Sequence, residues 1–288
     1  MEQKPYIERE IKTWKQFKDF VDKLSSNWIF RGQANENWEL KSSLERTNFF
    51  NKFDGIETTF LIDFQRAAKH FLGEKEIPES IIEWLALMQH HGAPTRLIDF
   101  TKSPFTAAYF AFEQIEPDVK NIAIWAIDTN LITNFVVSYL KPYYSKDFEK
   151  SHNLLSDEIF EKLFFQNNLD CIVPVEPFKM NKRYYLQQSI FISSGNSINP
   201  FIEQMDFLSD ANYKPLIKFI ISADLQKDVL TDLMKMNINR ATLFPDLDGY
   251  ARSLKSKYSI MNNFEESIKI NTNELEFLKN ENIITDDK

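Results

Sequence analysis

Residues 87–111 constrain this chain most. They read Leu87-Met88-Gln89-His90-His91-Gly92-Ala93-Pro94-Thr95-Arg96-Leu97-Ile98-Asp99-Phe100-Thr101, pass Ser103-Pro104, and end on Ala107-Ala108-Tyr109-Phe110-Ala111. Pro94 and Pro104 fix their own φ and push Ala93 and Ser103 toward extended geometry. The stretch therefore predicts helix, turn, short strand, turn, helix, with polar groups at the turns. The chain has only four His and six Gly, and two of those His and one Gly fall here. A packing element needs none of them, so the stretch reads as a site.

Around it the apolar spacing predicts further elements. Trp14, Phe17, Phe20, Val21 and Leu24 recur at helical intervals, as do Phe60, Phe64, Ala67, Ala68 and Phe71. Asn27 leads into a short strand, Trp28-Ile29-Phe30, expected to end at Arg31-Gly32-Gln33. Pro78-Glu79-Ser80 opens a helix carrying Ile81, Trp84, Leu85 and Met88 and ending near Gly92. Ser103-Pro104 reads as an N-cap followed by Pro at the first helical position. Residues 122–127 are apolar at nearly every position, the pattern of a strand buried on both faces. Further strands are expected at 171–175, 184–192 and 216–221. Residues 156–158 are expected to cap a helix with Ile159, Leu163 and Phe164, and Asp224 one with Val229, Leu233 and Met236. Helices come first and strands later, which favours α+β over a regular βαβ alternation. Residues 1–256 are expected to form a single domain with a helical N-terminal portion. Residues 257–288, rich in Asn, Glu and Lys, are expected to be an appendage, helical or partly disordered.

Composition removes several classes. The net charge of −8 gives no global basic field for nucleic acid or anionic lipid. One cysteine, Cys171, excludes an internal disulfide framework and a thiolate zinc cage. No apolar run approaches the roughly 20 residues that span a bilayer, and Met1-Glu2-Gln3-Lys4-Pro5 has no apolar signal core. A cytoplasmic protein without a membrane partner is expected. There is no P-loop, dinucleotide Gly-rich loop, His-Glu-x-x-His or Gly-x-Ser-x-Gly.

Four constellations remain. In Phe30-Arg31-Gly32-Gln33, an Arg at a strand end offers a planar fork for phosphate or carboxylate, and the Gly lets a ligand approach the backbone. The alternative is an Arg that pairs with a carboxylate and ties two elements together. In the opening stretch, His90 and His91 end a helix, where its negative dipole end favours imidazolium. With Asp99 they make a metal set only if two adjacent His converge, which their directions oppose. Arg96 and Asp99 are expected to form a buried salt bridge. Thr95, Thr101 and Ser103 are donors to a ligand or backbone caps. In Arg183-Tyr184-Tyr185-Leu186-Gln187-Gln188-Ser189-Ile190-Phe191, the two Gln of a strand point to opposite faces, so one meets the core or a cleft. The two Asp of Phe244-Pro245-Asp246-Leu247-Asp248-Gly249 make a weak cation signal and a better helix N-cap.

Together these segments resemble the FRG domain family. The pattern runs from Phe30-Arg31-Gly32 through Trp38 and Leu40 to Gln89-His90-His91-Gly92-x-Pro94-Thr95-Arg96-Leu97-x-Asp99-x-Thr101-x-Ser103-Pro104 and Ala108-x-Phe110-Ala111. It continues with Arg183, Gln187-Gln188-x-x-Phe191 and Phe244-Pro245-Asp246-Leu247-x-Gly249, covering roughly residues 25 to 255. Ser189 departs from it, a Gly being usual there. The family's order of elements resembles ADP-ribosyltransferases, which implies an α+β fold with a split β-sandwich holding NAD in a central cleft. By that resemblance Arg31 meets the NAD phosphates, Thr101 and Ser103, beside His91 and Thr95, shape the nicotinamide pocket, and Gly32, Gln33, His90 and Arg96 complete the NAD site. Gln187 and Gln188 occupy the place of the catalytic Glu, with His91 and Asp99 as further catalytic groups. A neutral Gln keeps the ribose hydrogen bond and loses the charge stabilisation; Asp99 is the candidate to supply it.

The resemblance implies an enzyme that transfers ADP-ribose to a protein or nucleic acid acceptor, or hydrolyses NAD, without a metal. Toxins and phage-defence effectors are the expected setting. The alternative is a non-catalytic module that binds a nucleotide or a partner, and a third reading is a metal-assisted hydrolase using His90, His91 and Asp99.

Overall fold

A computed structural model gives the fold and describes residues 4–53, 55–140, 159–166, 169–208, 214–260 and 279–281. The chain divides into two compact units, Met1–Ile238 and Asn239–Lys288. In the first unit, seven strands form one mixed sheet in the order β1-β7-β4-β2-β3-β6-β5. They are β1 (Ile7–Ile11), β2 (Trp28–Gln33), β3 (Leu97–Thr101), β4 (Asn121–Asp128), β5 (Ile172–Val175), β6 (Ser189–Ser194) and β7 (Leu216–Ser222). The β1–β7 pair is parallel and the other five are antiparallel. With helices on the sheet, the class is α+β.

The helices of this unit are α1 (Trp14–Val21), α2 (Ile56–Ala68), α3 (Ile81–His90), α4 (Pro104–Phe112), α5 (Thr129–Leu140), α6 (Lys182–Leu186) and α7 (Gln226–Lys235). Their starts follow capping chemistry. Ser80 and Ser103 side chains accept from the Glu83 and Thr106 backbone N–H groups, with Pro104 at the first helical position of α4. Gly92, at φ +83°, turns the chain out of α3. β4 carries an unbroken buried run, Ile122 to Ile127, because neighbours cover both faces.

The site depends on one irregularity of the sheet. β2 pairs with β4 over six residues, yet with β3 through a single pair, Phe30 opposite Thr101. The sheet therefore consists of a four-stranded half and a three-stranded half, hinged on one bridge. Against β2 lies α4, packed so closely that a Cβ on Gly32 would sit 1.9 Å from the Ala107 carbonyl oxygen and 2.7 Å from the Ala111 nitrogen.

Several expectations are corrected. β2 runs on through Gln33, so Arg31 sits inside the strand and not at its end. The span 184–192 is no single strand: α6 ends at Leu186, Gln187 caps it, and Gln188 turns at φ +50° into β6. Ser222, not Asp224, caps the turn before α7, accepting from the Asp224 N–H. Met236 ends α7 and is exposed, as is Phe71 beyond α2. The sequence pattern does not predict β1. The predicted cap at 156–158 and most of the tail lie outside the described residues.

The second unit contains α8 (Arg240–Leu243) and α9 (Leu247–Ile260). Asp246 accepts from the Gly249 N–H at the start of α9, so it acts as a helix cap.

Candidate functional site

A cleft of about 240 Å³ opens where β2 and β3 part. Arg31 and Asp99 face each other across it. Arg31 Nη1 donates to the Asp99 backbone oxygen at 2.7 Å and lies 4.0 Å from the Asp99 carboxylate. The guanidinium thus bridges a stretch where no backbone ladder joins the two strands. Its Nε is buried with no hydrogen-bond partner among the described residues. Burial pushes the Arg31 pKa below its ordinary value; Asp99 opposes that shift and Arg46 adds to it. An anion delivered to this group would relieve the desolvation.

Asp99 keeps half of its side chain in solvent. Its orientation comes from Gln89, whose Nε2 donates to Asp99 Oδ2 at 2.9 Å and to the Leu97 carbonyl at 3.3 Å. Gln89 is itself fixed, because its Oε1 accepts from the Thr95 hydroxyl at 2.6 Å and from Ser43 at 3.1 Å. A chain of hydrogen bonds therefore runs from Ser43 and Thr95 through Gln89 to the carboxylate. Phe30, Phe100 and Phe110 supply apolar wall, and Tyr184 and Arg183 close the α6 side. The Tyr184 hydroxyl donates to the Ala86 carbonyl, and burial first, then Asp99, raises its pKa. It acts as a fixed wall and not as an acid.

The cleft brings together six sequence-predicted residues: Arg31, Gly32, His90, Asp99, Thr101 and Gln187. Thr101 donates to the Gln187 carbonyl at 2.6 Å and accepts from the Ser103 N–H, so it joins β3 to the end of α6. Others lie elsewhere. Gln33 is buried, accepts from the Trp125 indole N–H at 2.7 Å and donates to the Glu39 carbonyl. His91 and Gln188 are exposed beside the cleft lining, and Ser103 caps α4. Gly32 is explained by the approach of α4 and not by a ligand at the backbone.

The expected Arg96–Asp99 salt bridge is replaced by another. Arg96 is buried against Glu57, with Nε donating to Oε2 at 2.5 Å and its backbone N–H to Oε1 at 2.7 Å. Its Nη1 donates to the carbonyls of Phe164 at 2.7 Å and Ser194 at 3.4 Å, and its Nη2 to Phe165 at 3.3 Å. Thr95 is buried on the same side and serves Gln89. Sequence reasoning missed Gln89, Arg183 and Tyr184 as cleft residues, although it named all three within its motifs. Among the described residues, no three His, Cys, Asp or Glu side chains converge to hold a metal ion, and no helix is long and apolar enough to cross a membrane.

The family model of the FRG domain matches residues 26–120. That span includes β2, α3, β3 and α4, and with them Arg31, Gln89, His90, Asp99 and Thr101. No curated protein and no solved structure matches the chain.

Proposed function

We propose that this cleft binds NAD and that the protein is an ADP-ribosyltransferase-like enzyme, transferring ADP-ribose to a protein or nucleic acid or releasing it to water. The observation that carries the reading is the pair Arg31 and Asp99 across the parting of β2 and β3. The single open sheet parts at one residue pair, and the opening holds a cationic fork beside a half-exposed carboxylate.

The volume of about 240 Å³ is at the small end of ligand cavities, room for a ring and a sugar more than for a whole dinucleotide. The nicotinamide and its ribose would sit among Phe30, Phe100, Phe110 and Tyr184, with Arg31 and Arg183 toward the phosphates. In the reaction the bond between the ring nitrogen and the anomeric carbon breaks. The bonding pair leaves with nicotinamide, which neutralises its pyridinium charge, and positive charge builds on the ribose. Asp99 is the carboxylate that lines the cleft among the described residues, and it would stabilise that charge. Gln187 lines the same cleft with an amide where a transferase would carry a carboxylate. An acceptor oxygen or nitrogen then bonds to the anomeric carbon and gives up its proton. Such transfer is the activity a toxin or phage-defence effector would use.

The test is calorimetric titration of NAD followed by chromatographic detection of nicotinamide. Saturable binding with nicotinamide release is expected. Arg31→Met should lower NAD affinity at least tenfold, given about 1.5–3 kcal/mol for a hydrogen bond to a charged group. Asp99→Asn should keep binding and lose roughly 100-fold in turnover. Unchanged NAD affinity in folded Arg31→Met would overturn the reading. The second reading, a nucleotide-binding module without turnover, is favoured by the neutral Gln187. It predicts binding without nicotinamide release.

A further inference from the structure

A second cleft, of about 360 Å³, lies along β1, β7 and β4; Tyr6, Trp38, Trp125 and Lys218 line it, with Lys4, Lys41 and four glutamates. Register places Glu8, Lys218, Trp125 and Arg31 in one row across four strands. Lys218 is 8% exposed. Its Nζ donates to the Glu36 backbone oxygen at 2.5 Å and sits 5.1 Å above the Trp125 ring. It has no carboxylate within ion-pair distance among the described residues; burial lowers its pKa, and Glu8 and Glu36, at longer range, oppose that shift. One carbonyl and one ring face leave one of three ammonium donors for a further acceptor.

The carboxylates around it are engaged elsewhere. Glu8 pairs with Lys4 at 2.7 Å and Glu39 pairs with Lys41. Glu36 accepts from Asn121 Nδ2 at 2.9 Å. Glu45 accepts from the backbone N–H groups of Ser42 and Phe201, and burial raises its pKa. Among the described residues of the cleft, Lys218 is thus a buried ammonium with no carboxylate at contact distance, while Lys4 and Lys41 are paired. The aromatic walls differ too. Trp125 is held by Gln33 and meets Tyr6 edge-on at 4.9 Å, whereas Trp38 leaves 52% of its surface exposed at the rim. A large indole half in water beside a buried ammonium is an unusual surface to leave bare.

We infer that this second cleft is a binding site for a small aromatic carboxylate, its anionic group on Lys218 Nζ and its ring against Trp38. The anion would give Lys218 Nζ a direct charged hydrogen bond, and the planar ring would cover the exposed indole. The site is separate from the Arg31 cleft and does not rest on NAD chemistry.

Benzoate is the probe, titrated calorimetrically into the full chain beside benzamide, its neutral isostere, and inorganic phosphate. Saturable benzoate binding is expected, with benzamide at least tenfold weaker and phosphate weaker than benzoate. Lys218→Met keeps the stem on Trp125 and should weaken benzoate at least tenfold; a charged hydrogen bond accounts for that. Trp38→Ala, which removes a half-exposed side chain, should weaken benzoate several-fold while leaving the melting temperature in place. No saturable benzoate binding, equal affinity for benzamide, phosphate preferred over benzoate, or unchanged affinity in both variants would each overturn the inference.

Discussion

Replacing Arg96 by Met tests the largest correction to the sequence reading. The Arg96 and Glu57 side chains are 2% and 1% exposed, so neither charge is shared with water. The thioether would leave Glu57 Oε2 buried without its donor. It would also take donors from the Phe164, Phe165 and Ser194 carbonyls, the tie between β3, β6 and the turn at Phe160–Phe165. Breaking a buried pair by removing one partner costs about 3–5 kcal/mol. For a unit of this size, about 2–4 °C per kcal/mol puts the loss in melting temperature at roughly 6–20 °C. The double variant Arg96→Met with Glu57→Leu removes the stranded carboxylate and should recover about 1–3 kcal/mol of that loss, with the three carbonyls still lacking their Arg96 donors. Thermal and urea unfolding followed by circular dichroism measure both. NAD affinity of the folded double variant should equal that of the native protein, because Arg96 does not line the cleft. A single variant within about 1 kcal/mol of native, or a double variant no better than the single, would refute the argument.

Three further outcomes are expected. Gly32→Ala forces a methyl group onto the α4 backbone at 1.9 Å and should cost about 1–3 kcal/mol or more, read by thermal melting; an unchanged melting temperature would show that α4 moves freely. Asp232 joins α7 to α1 by accepting from Lys18 at 2.8 Å and from the Trp14 indole at 2.7 Å, and these bonds, Lys18 first, hold its carboxyl below its ordinary pKa. A depressed carboxylate stabilises the fold above its unfolded value and loses that stabilisation as pH falls through its folded one. Asp232→Asn should therefore cost about 0.5–1 kcal/mol near neutral pH and a shrinking amount below about pH 4, measured by urea midpoints across pH. Cys171 is buried, and burial, aided by Asp170, pushes its thiol up to about 12. It should stay unmodified by a disulfide reagent in the native state and react on unfolding; prompt native labelling would contradict the packing at the end of β5.

How far the sequence could be read depended on where each residue's partner lies. The ends of α3 and α4 were legible because Ser80, Ser103, Pro104 and Gly92 act within a few residues of themselves. β4 was legible from its own unbroken apolar run. β1 was not: Ile7, Glu8, Arg9 and Glu10 are exposed, and the strand exists because β7 offers a parallel edge. The Gln pair was misread because Tyr184 to Phe191 is apolar enough for one strand. The local chemistry that breaks it is Asn181 capping α6 and a left-handed Gln188. The Arg96 partner sits 39 residues away. A signal for it did exist, since Glu57 falls on the apolar stripe of α2 with Leu61 and Ala68, where a carboxylate needs a buried cation.

The two arginines Arg31 and Arg96 read alike in the sequence, and their donors separate them. Arg96 has Nε, Nη1 and Nη2 all engaged by protein acceptors inside the core. A ligand could recruit it only by breaking that packing. Arg31 has Nη1 on the Asp99 carbonyl and a buried Nε with no acceptor among the described residues, at the rim of a cleft. An anion that meets Arg31 from the cleft does not have to break a core ion pair like that of Arg96 with Glu57. Arg31 also supplies a hydrogen bond where β2 and β3 lack a ladder, so an anion that fixes the guanidinium would tighten the hinge between the sheet's two halves. Ligand binding at this point should therefore raise the stability of the whole first unit, beyond the residues it touches. Occupancy adds RT ln(1 + [L]/Kd), about 2.7 kcal/mol at a hundredfold excess over Kd, and the strand pair at Phe30 and Thr101 is where that gain enters the fold.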